Sequence, residues 1–390
     1  MDWLPPSQAW LRDLIDFTPD VSTSIYCEQI LPRAPTPPGP VRLISKLAER
    51  KNALLERRTA GIQRLVDRAV YRSLRLAENA RVDRVVAELN AQQTDVLHVH
   101  FGDFARAHLR LIRRAGIPCA VSFYGHDYGM ATETHGIRQG RRSTLTSHPA
   151  YHGLWASGAH FLAEGPYGRA TLIALGAPVD GVSVQPLGIE PPRVAVPSPA
   201  AADRFVQLAH VEPKKGQRDT LAAFSYALRE HPDATLTFIG GVRDEAYDRA
   251  LRADTTALGL CDRVHRRPPV PSEALVEVLR GYGTFVQPSR YAVDGNNEGG
   301  APVSLLWAQA AGLQIVCTDH CDLPFLVSEA ARVVPVGDSR ALALAMMSAA
   351  RAAEPERTEA TRRGSRHVSQ AFDVRRLAED LRAFYERIAG

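Results

Sequence analysis

The chain has 390 residues, 45% of them hydrophobic and 23% charged, with 47 Lys and Arg against 43 Asp and Glu for a net charge of +4. That length exceeds one ordinary core and points to two domains of roughly 180 residues each, while the composition excludes disorder as the main state and no run of about 18 apolar residues offers a membrane span. So small a charge excess also excludes a dedicated nucleic-acid binder, which concentrates a larger basic surplus on one face.

The opening residues, Met1-Asp2-Trp3-Leu4-Pro5-Pro6, lack a basic stretch followed by an apolar one, so no secretory signal is visible and the cytoplasm is the default site. Arg42, Lys46, Arg50, Lys51, Arg57, Arg58, Arg64, Arg68, Arg72 and Arg75 punctuate a helical pattern of Leu43, Leu47, Leu54, Leu55, Ile62, Leu65 and Val66. We read this as a solvated helix face, the alternative being peripheral contact with an anionic membrane surface or an anionic acceptor. The first clear strand is Val96 to His100, followed by Phe101-Gly102 and a helix from Ala105 to Arg114. A second strand, Ala120 to Phe123, is closed by Tyr124-Gly125-His126-Asp127.

Strands alternating with helices predict parallel sheets covered by helices. Ligands collect at the carboxyl ends of such strands, which makes Gly102, Tyr124 and Asp127 candidates. Residues 191–202 are rich in Pro and Ala and read as a hinge. A second alternating set follows: strand Phe205 to Leu208, helix 217–230, strand 235–239, helices 244–257 and 273–280, and strand Thr284 to Val286 ending in Pro288-Ser289. Two doubly wound halves joined by a hinge imply a cleft between them.

The most informative segment runs from Glu298 through Gly299, Gly300, Ala301 and Pro302 into a helical pattern ending at Gly312. Glycines let the backbone approach a ligand, Pro302 suits a first helical position, and the helix start offers amides to an oxyanion. Glu298 would repel phosphate, so it serves the neutral, hydroxyl-rich part of the same ligand; together they indicate a phosphorylated sugar. Cys27, Cys119, Cys261, Cys317 and Cys321 are odd in number and scattered, which is no disulfide framework. The Cys317-Thr-Asp-His-Cys321 stretch lacks a second ligand pair, so no metal site is assigned.

In order and spacing these segments resemble the GT-B glycosyltransferases, specifically the large retaining family 4. The resemblance rests on Phe205 to Lys215-Gly216, on Pro288-Ser289 to Gly312, and on Leu187-Gly188-Ile189-Glu190 before the hinge. It implies an α/β chain of two Rossmann-like domains facing each other across a cleft: 1–195 for the acceptor, 203–370 for the donor, and a helix in 371–390 packing back on the first half. By resemblance Lys215 reaches the donor diphosphate, Lys214 faces solvent, Glu298 accepts from donor sugar hydroxyls, and the amides of Gly299, Gly300 and Ala301 hold phosphate. Catalytic roles fall to Lys215, Glu298 and Asp127.

The chain departs from that family at several places. Ala209-His210 stands where an Arg is usual, so a permanent guanidinium gives way to a group only partly charged at neutral pH. Trp307 stands where a second Glu would grip the nucleotide ribose, and Tyr124 stands where a His is usual. A family strand that precedes the loop Leu4 to Gln8 is expected to be missing. The implied activity is retaining transfer of a sugar from a nucleotide diphosphate to an acceptor hydroxyl, without cofactor or essential metal, with protonated His210 assisting Lys215. Two alternatives stay open. One is a non-nucleotide donor such as phosphoribosyl pyrophosphate, held by Arg266, Arg267 or Arg290; the other is a catalytically silent binding protein. Arg138, Arg141 and Arg142 read as a solvated loop or as contacts to an anionic acceptor. Sugar, acceptor and oligomeric state are not legible.

Overall fold

The computed structural model describes residues 2–3, 9–27, 29–30, 39–43, 61–125, 127, 151–192, 202–293 and 296–390. Fourteen strands are described, and every strand pair is parallel, as expected when each crossover carries a helix.

The second half holds the larger sheet. Its strands are β9 (Arg204–Leu208), β10 (Thr235–Ile239), β11 (Val264–Arg267), β12 (Thr284–Gln287), β13 (Gln314–Thr318) and β14 (Arg332–Val334), laid out in the order β11-β10-β9-β12-β13-β14. This is the doubly wound order, in which successive strands run outward from β9 in one direction and from β12 in the other. Strands β12 and β13 are buried at every residue, including the polar Thr284, Gln287, Gln314 and Thr318 at their ends. Phe205, Phe224 and Phe285 are fully buried in this half, each stabilising it by about 1.5–3 kcal/mol.

The first half holds a four-stranded sheet in sequential order: β5 (Leu97–His100), β6 (Cys119–Phe123), β7 (His160–Ala163) and β8 (Val182–Val184). The chain before it forms two separate two-stranded ladders. In one, β1 (Asp2–Trp3) pairs with β3 (Gln29–Ile30); in the other, β2 (Ile25–Cys27) pairs with β4 (Val41–Leu43). The expected loss of a leading strand is therefore corrected: a two-residue strand stands there, before the loop.

The basic segment is corrected too. Arg42 lies on β4 and pairs with Glu88 at 3.2 Å, and the described helix runs from Gly61 to Ala91. Lys46, Arg50, Lys51, Arg57 and Arg58 fall outside the described residues, whereas Arg72 and Arg75 are exposed.

The last helix, Val374–Ala389, crosses from the second half to the first. Its buried stripe of Val374, Leu377, Ala378, Leu381 and Phe384 packs on Leu14, Ala120 and Leu162. A bridge between Ile189 and Asp373 fixes the crossing, with the Val374 amide donating to the Ile189 carbonyl at 2.9 Å. Most of the Pro-rich segment 191–202 lies outside the described residues. Among the described residues, no helix is long and apolar enough to cross a membrane.

Candidate active site

The doubly wound order reverses between β9 and β12, the place where ligands collect at the carboxyl ends of strands in such sheets. The loop after β9 carries His210 to Lys215, and the loop after β12 carries Pro288 to Pro302. Gly216 makes their approach possible. It sits at φ +67°, and a Cβ there would lie 2.2 Å from the Pro288 carbonyl oxygen. The buried Gln207 amide donates to the Lys215 carbonyl at 2.6 Å, and Thr220 donates to the Gln207 carbonyl oxygen at 2.7 Å, locking the turn.

The lysine so held forms an ion pair and hydrogen bond from its Nζ to Glu298 Oε1. Lys214 is half-buried rather than turned to solvent, and its Nζ donates to the Asn297 carbonyl at 3.2 Å. Burial works to raise the Glu298 pKa, but the Lys215 and Lys214 ammoniums and the Lys215 hydrogen bond hold it below the ordinary carboxylate value. The pair is thus charged in an enclosed place.

Sequence reasoning missed a residue beside it. The Glu298 amide donates to Nε2 of the buried His320 at 3.2 Å, which puts that ring's proton on Nδ1. Burial lowers the His320 pKa to about 4, so the ring is neutral. Its Nδ1–H and Glu298 Oε2 are both buried, and neither has a hydrogen-bond partner among the described residues. One is a donor and the other an acceptor, the combination that a hydroxyl satisfies. The overlooked signal lay in the Cys317-to-Cys321 stretch, which was weighed for metal alone. Among the described residues no group of three His, Cys, Asp or Glu is arranged to hold a metal ion.

Two of the three amides expected to hold phosphate are otherwise engaged. Gly300 donates to the Glu298 carbonyl at 2.7 Å, and Ala301 donates to Glu164 Oε2 at 3.3 Å. Pro302 caps the helix in an extended conformation (ψ 108°) rather than opening it, so the helix is Val303–Ala310. The anion at this turn is therefore a carboxylate from the first half, placed by the end of β7.

The two halves meet here backbone to backbone. A Cβ on Gly125 would lie 2.0 Å from the Glu298 carbonyl oxygen, and one on Gly299 would lie 2.3 Å from the Gly125 carbonyl oxygen. Gly125 is positioned by Asp127, whose fully buried carboxylate accepts from the amides of Tyr124 at 2.9 Å and Asp103 at 3.2 Å and also from Gly102. Burial raises the Asp127 pKa, the amides lower it, and the balance is about 7. Gly102 is buried against the Phe123 ring, which a Cβ would meet at 2.2 Å. The Tyr124 hydroxyl is shared with His100 Nδ1 at 2.7 Å, and its ring packs on Trp10 and Phe101. Phe101 itself sits at φ +74°, a strained setting for a bulky residue next to a candidate site.

Other expectations are corrected. Burial first, then Arg243 and Lys215, lower the His210 pKa, so His210 is neutral at pH 7 and not a second cation. Trp307 is half-buried against the apolar cluster that contains Leu305, Leu306 and Phe372. Of the arginines named for an extra phosphate, Arg266 is paired with Asp248, Arg290 with Asp219 at 3.0 Å, and Arg267 reaches Tyr282 at 3.5 Å. His126, Arg138, Arg141 and Arg142 lie outside the described residues.

This architecture, with a parallel sheet at the centre of each half and a strand-order reversal in the larger one, is the GT-B fold. Solved structures agree. Anabaena Alr3699/HepE in complex with UDP shares the fold at TM-score 0.70 and 16% identity, covering 99% of this chain and 98% of that one. Sucrose-phosphate synthase from Thermosynechococcus elongatus does so at TM-score 0.59 and 18% identity, over 79% of this chain and 78% of that one.

Residues 203–351 match the family model described as Glycosyl transferases group 1. Among curated proteins, the chain is similar to AmsK of Erwinia amylovora, an amylovoran biosynthesis glycosyltransferase. They are 29% identical over 269 residues, 67% of this chain and 63% of AmsK. WcaL of Escherichia coli K12, named for colanic acid biosynthesis, is 27% identical over 265 residues, 66% of this chain and 64% of WcaL. The matches thus span just under two thirds of these relatives.

Proposed function

We propose that the chain is a retaining glycosyltransferase that moves a sugar from a nucleoside-diphosphate sugar to an acceptor hydroxyl during polysaccharide assembly. The observation that carries this reading is the buried Lys215–Glu298 pair at the strand-order reversal, flanked by the Glu298 Oε2 acceptor and the His320 Nδ1–H donor. In this reading Lys215 exchanges its carboxylate partner for the departing diphosphate and stabilises the charge that grows on it. Glu298 and His320 then receive a hydroxyl of the donor sugar.

The UDP and UDP-glucose complexes of the structurally similar HepE support a nucleotide-linked donor, as do the biosynthetic names of AmsK and WcaL for a polysaccharide product. Of the buried acids of the first half, Asp127 and Glu164 are turned to backbone amides and Glu78 lies 4.0 Å from Arg110. That supports front-face transfer, with the leaving phosphate as base, over attack by a carboxylate nucleophile. Contact with an anionic membrane through exposed Arg72 and Arg75 belongs to the same reading as a lipid-linked acceptor.

The test is release of nucleoside diphosphate from a panel of UDP- and GDP-sugars by the whole chain, with the stereochemistry of the product assigned by NMR. Turnover with retained anomeric configuration is the expected result. Binding without turnover for every donor would replace the enzyme with a silent binding protein.

A further inference from the structure

The helix start after Glu298 already holds an anion of the protein's own, and the helix start facing it does as well. Glu164 at the end of β7 gives Oε2 to the Ala301 amide at 3.3 Å, and its carboxylate lies where a side chain on Gly300 would begin, with Oε2 1.2 Å from an ideal Cβ. In return Asp322, on the turn after β13, accepts from the amides of Tyr167 at 2.8 Å and Gly168 at 3.1 Å, at the start of helix Pro166–Ala174. Each half thus inserts one carboxylate into a helix start of the other, where aligned peptide dipoles favour negative charge.

The two insertions differ in what surrounds them. Glu164 enters the turn that carries Glu298, whose carboxylate is paired with Lys215, while Asp322 sits against Gly165 and accepts from two backbone amides. Glu164 is nearly fully buried, so its charge is not screened by water.

We propose that Glu164 is an internal counter-ligand of the donor-phosphate site: its carboxylate and a donor phosphate compete for the amide turn at Gly300–Ala301. This rests on the reading of that turn as the donor site. The competition makes Glu164 a specificity-determining residue. A ligand with a single weak negative charge gains little by replacing a carboxylate already held there, whereas a diphosphate also gains Lys215. It couples donor entry to loosening of one arm of the interface, with the Asp322 arm holding the halves in register.

The experiment is calorimetric titration of the whole chain with UDP and with inorganic pyrophosphate, comparing wild type with Glu164→Gln, Glu164→Ser and Asp322→Asn, each checked for a cooperative thermal transition. Removing the competing charge at Glu164 should tighten both ligands by about tenfold or more, and both neutral variants should agree, so that failure of one to fold leaves the other. Asp322→Asn should leave affinity within about twofold of wild type. Unchanged or weaker binding in the Glu164 variants overturns the proposal, and so does an equal gain in Asp322→Asn, which would reflect general opening of the interface. Failure of the donor-site reading looks different: Lys215→Ala would then bind pyrophosphate as well as wild type does.

Discussion

Two turns of this molecule share one grammar, Glu164-Gly165-Pro166 after β7 and Glu298-Gly299-Gly300-Ala301-Pro302 after β12. Each places an acid at a turn, lets glycine bring the other half close, and starts a helix. Each helix start accepts a carboxylate from the opposite half. Among the described residues, the second alone brings a lysine pair, an unpartnered carboxylate oxygen and an unpartnered imidazole N–H to the same place. The helix start is thus common to interface and site, and the cations delivered by the strand-order reversal separate them.

The sharpest way to break this contrast is Lys215→Ala. Catalysis should fall by at least about 100-fold, the order seen when one charge-stabilising group is removed. The buried Glu298 left behind should cost about 3–5 kcal/mol of stability. Adding Glu298→Gln should restore most of the stability and none of the turnover, read by chemical denaturation and donor-release kinetics. If the single variant keeps wild-type stability, the pair is not the enclosed charge described here.

Next in size is Gly216→Ala. It forces a side chain into a left-handed conformation and onto the Pro288 carbonyl, so donor affinity should fall with the displacement of Lys215. Asp127→Asn should cost about 1–3 kcal/mol, because an amide NH2 faces backbone donors that the carboxylate accepted. In the first half that loss is structural, and a drop in kcat with unchanged stability would instead make Asp127 a catalytic group.

The last contrast is in pH dependence. His320 titrates at about 4 in the folded chain and near 6.5 when unfolded, so below pH 6.5 the unfolded state takes the proton first and stability falls toward pH 4, by roughly 3 kcal/mol. Asp127, raised to about 7, binds its proton in the folded state from pH 7 downward and opposes that slope. The depressed Glu298 adds stability that is present above its unfolded value near 4.5 and disappears as pH falls through its folded pKa. His320→Asn should remove the first slope and leave the other two, as read from denaturation midpoints across pH 4–7.

Much of the fold was legible because its signals are local. The runs at 205–208, 235–239 and 284–286 lie within a residue of observed strands, since strands buried on both faces are rich in apolar residues. Strands β1 to β4, β7, β8, β11, β13 and β14 escaped notice; β11, for example, is Val264-His-Arg-Arg267, a polar edge strand with no apolar run to detect. Lys215 and Glu298 were legible through turn chemistry. Glu164, His320 and Asp322 were not, because their significance lies in contacts across 22 to 155 residues. The reading of His210 as a cation failed for a related reason, since burial and neighbouring charges set its protonation.

The most direct test of the central claim is the affinity of the whole chain for UDP with and without the Lys215 ammonium. The account predicts saturable binding by wild type, weakened at least about tenfold in Lys215→Ala at constant ionic strength. Equal affinity in the two proteins would contradict it.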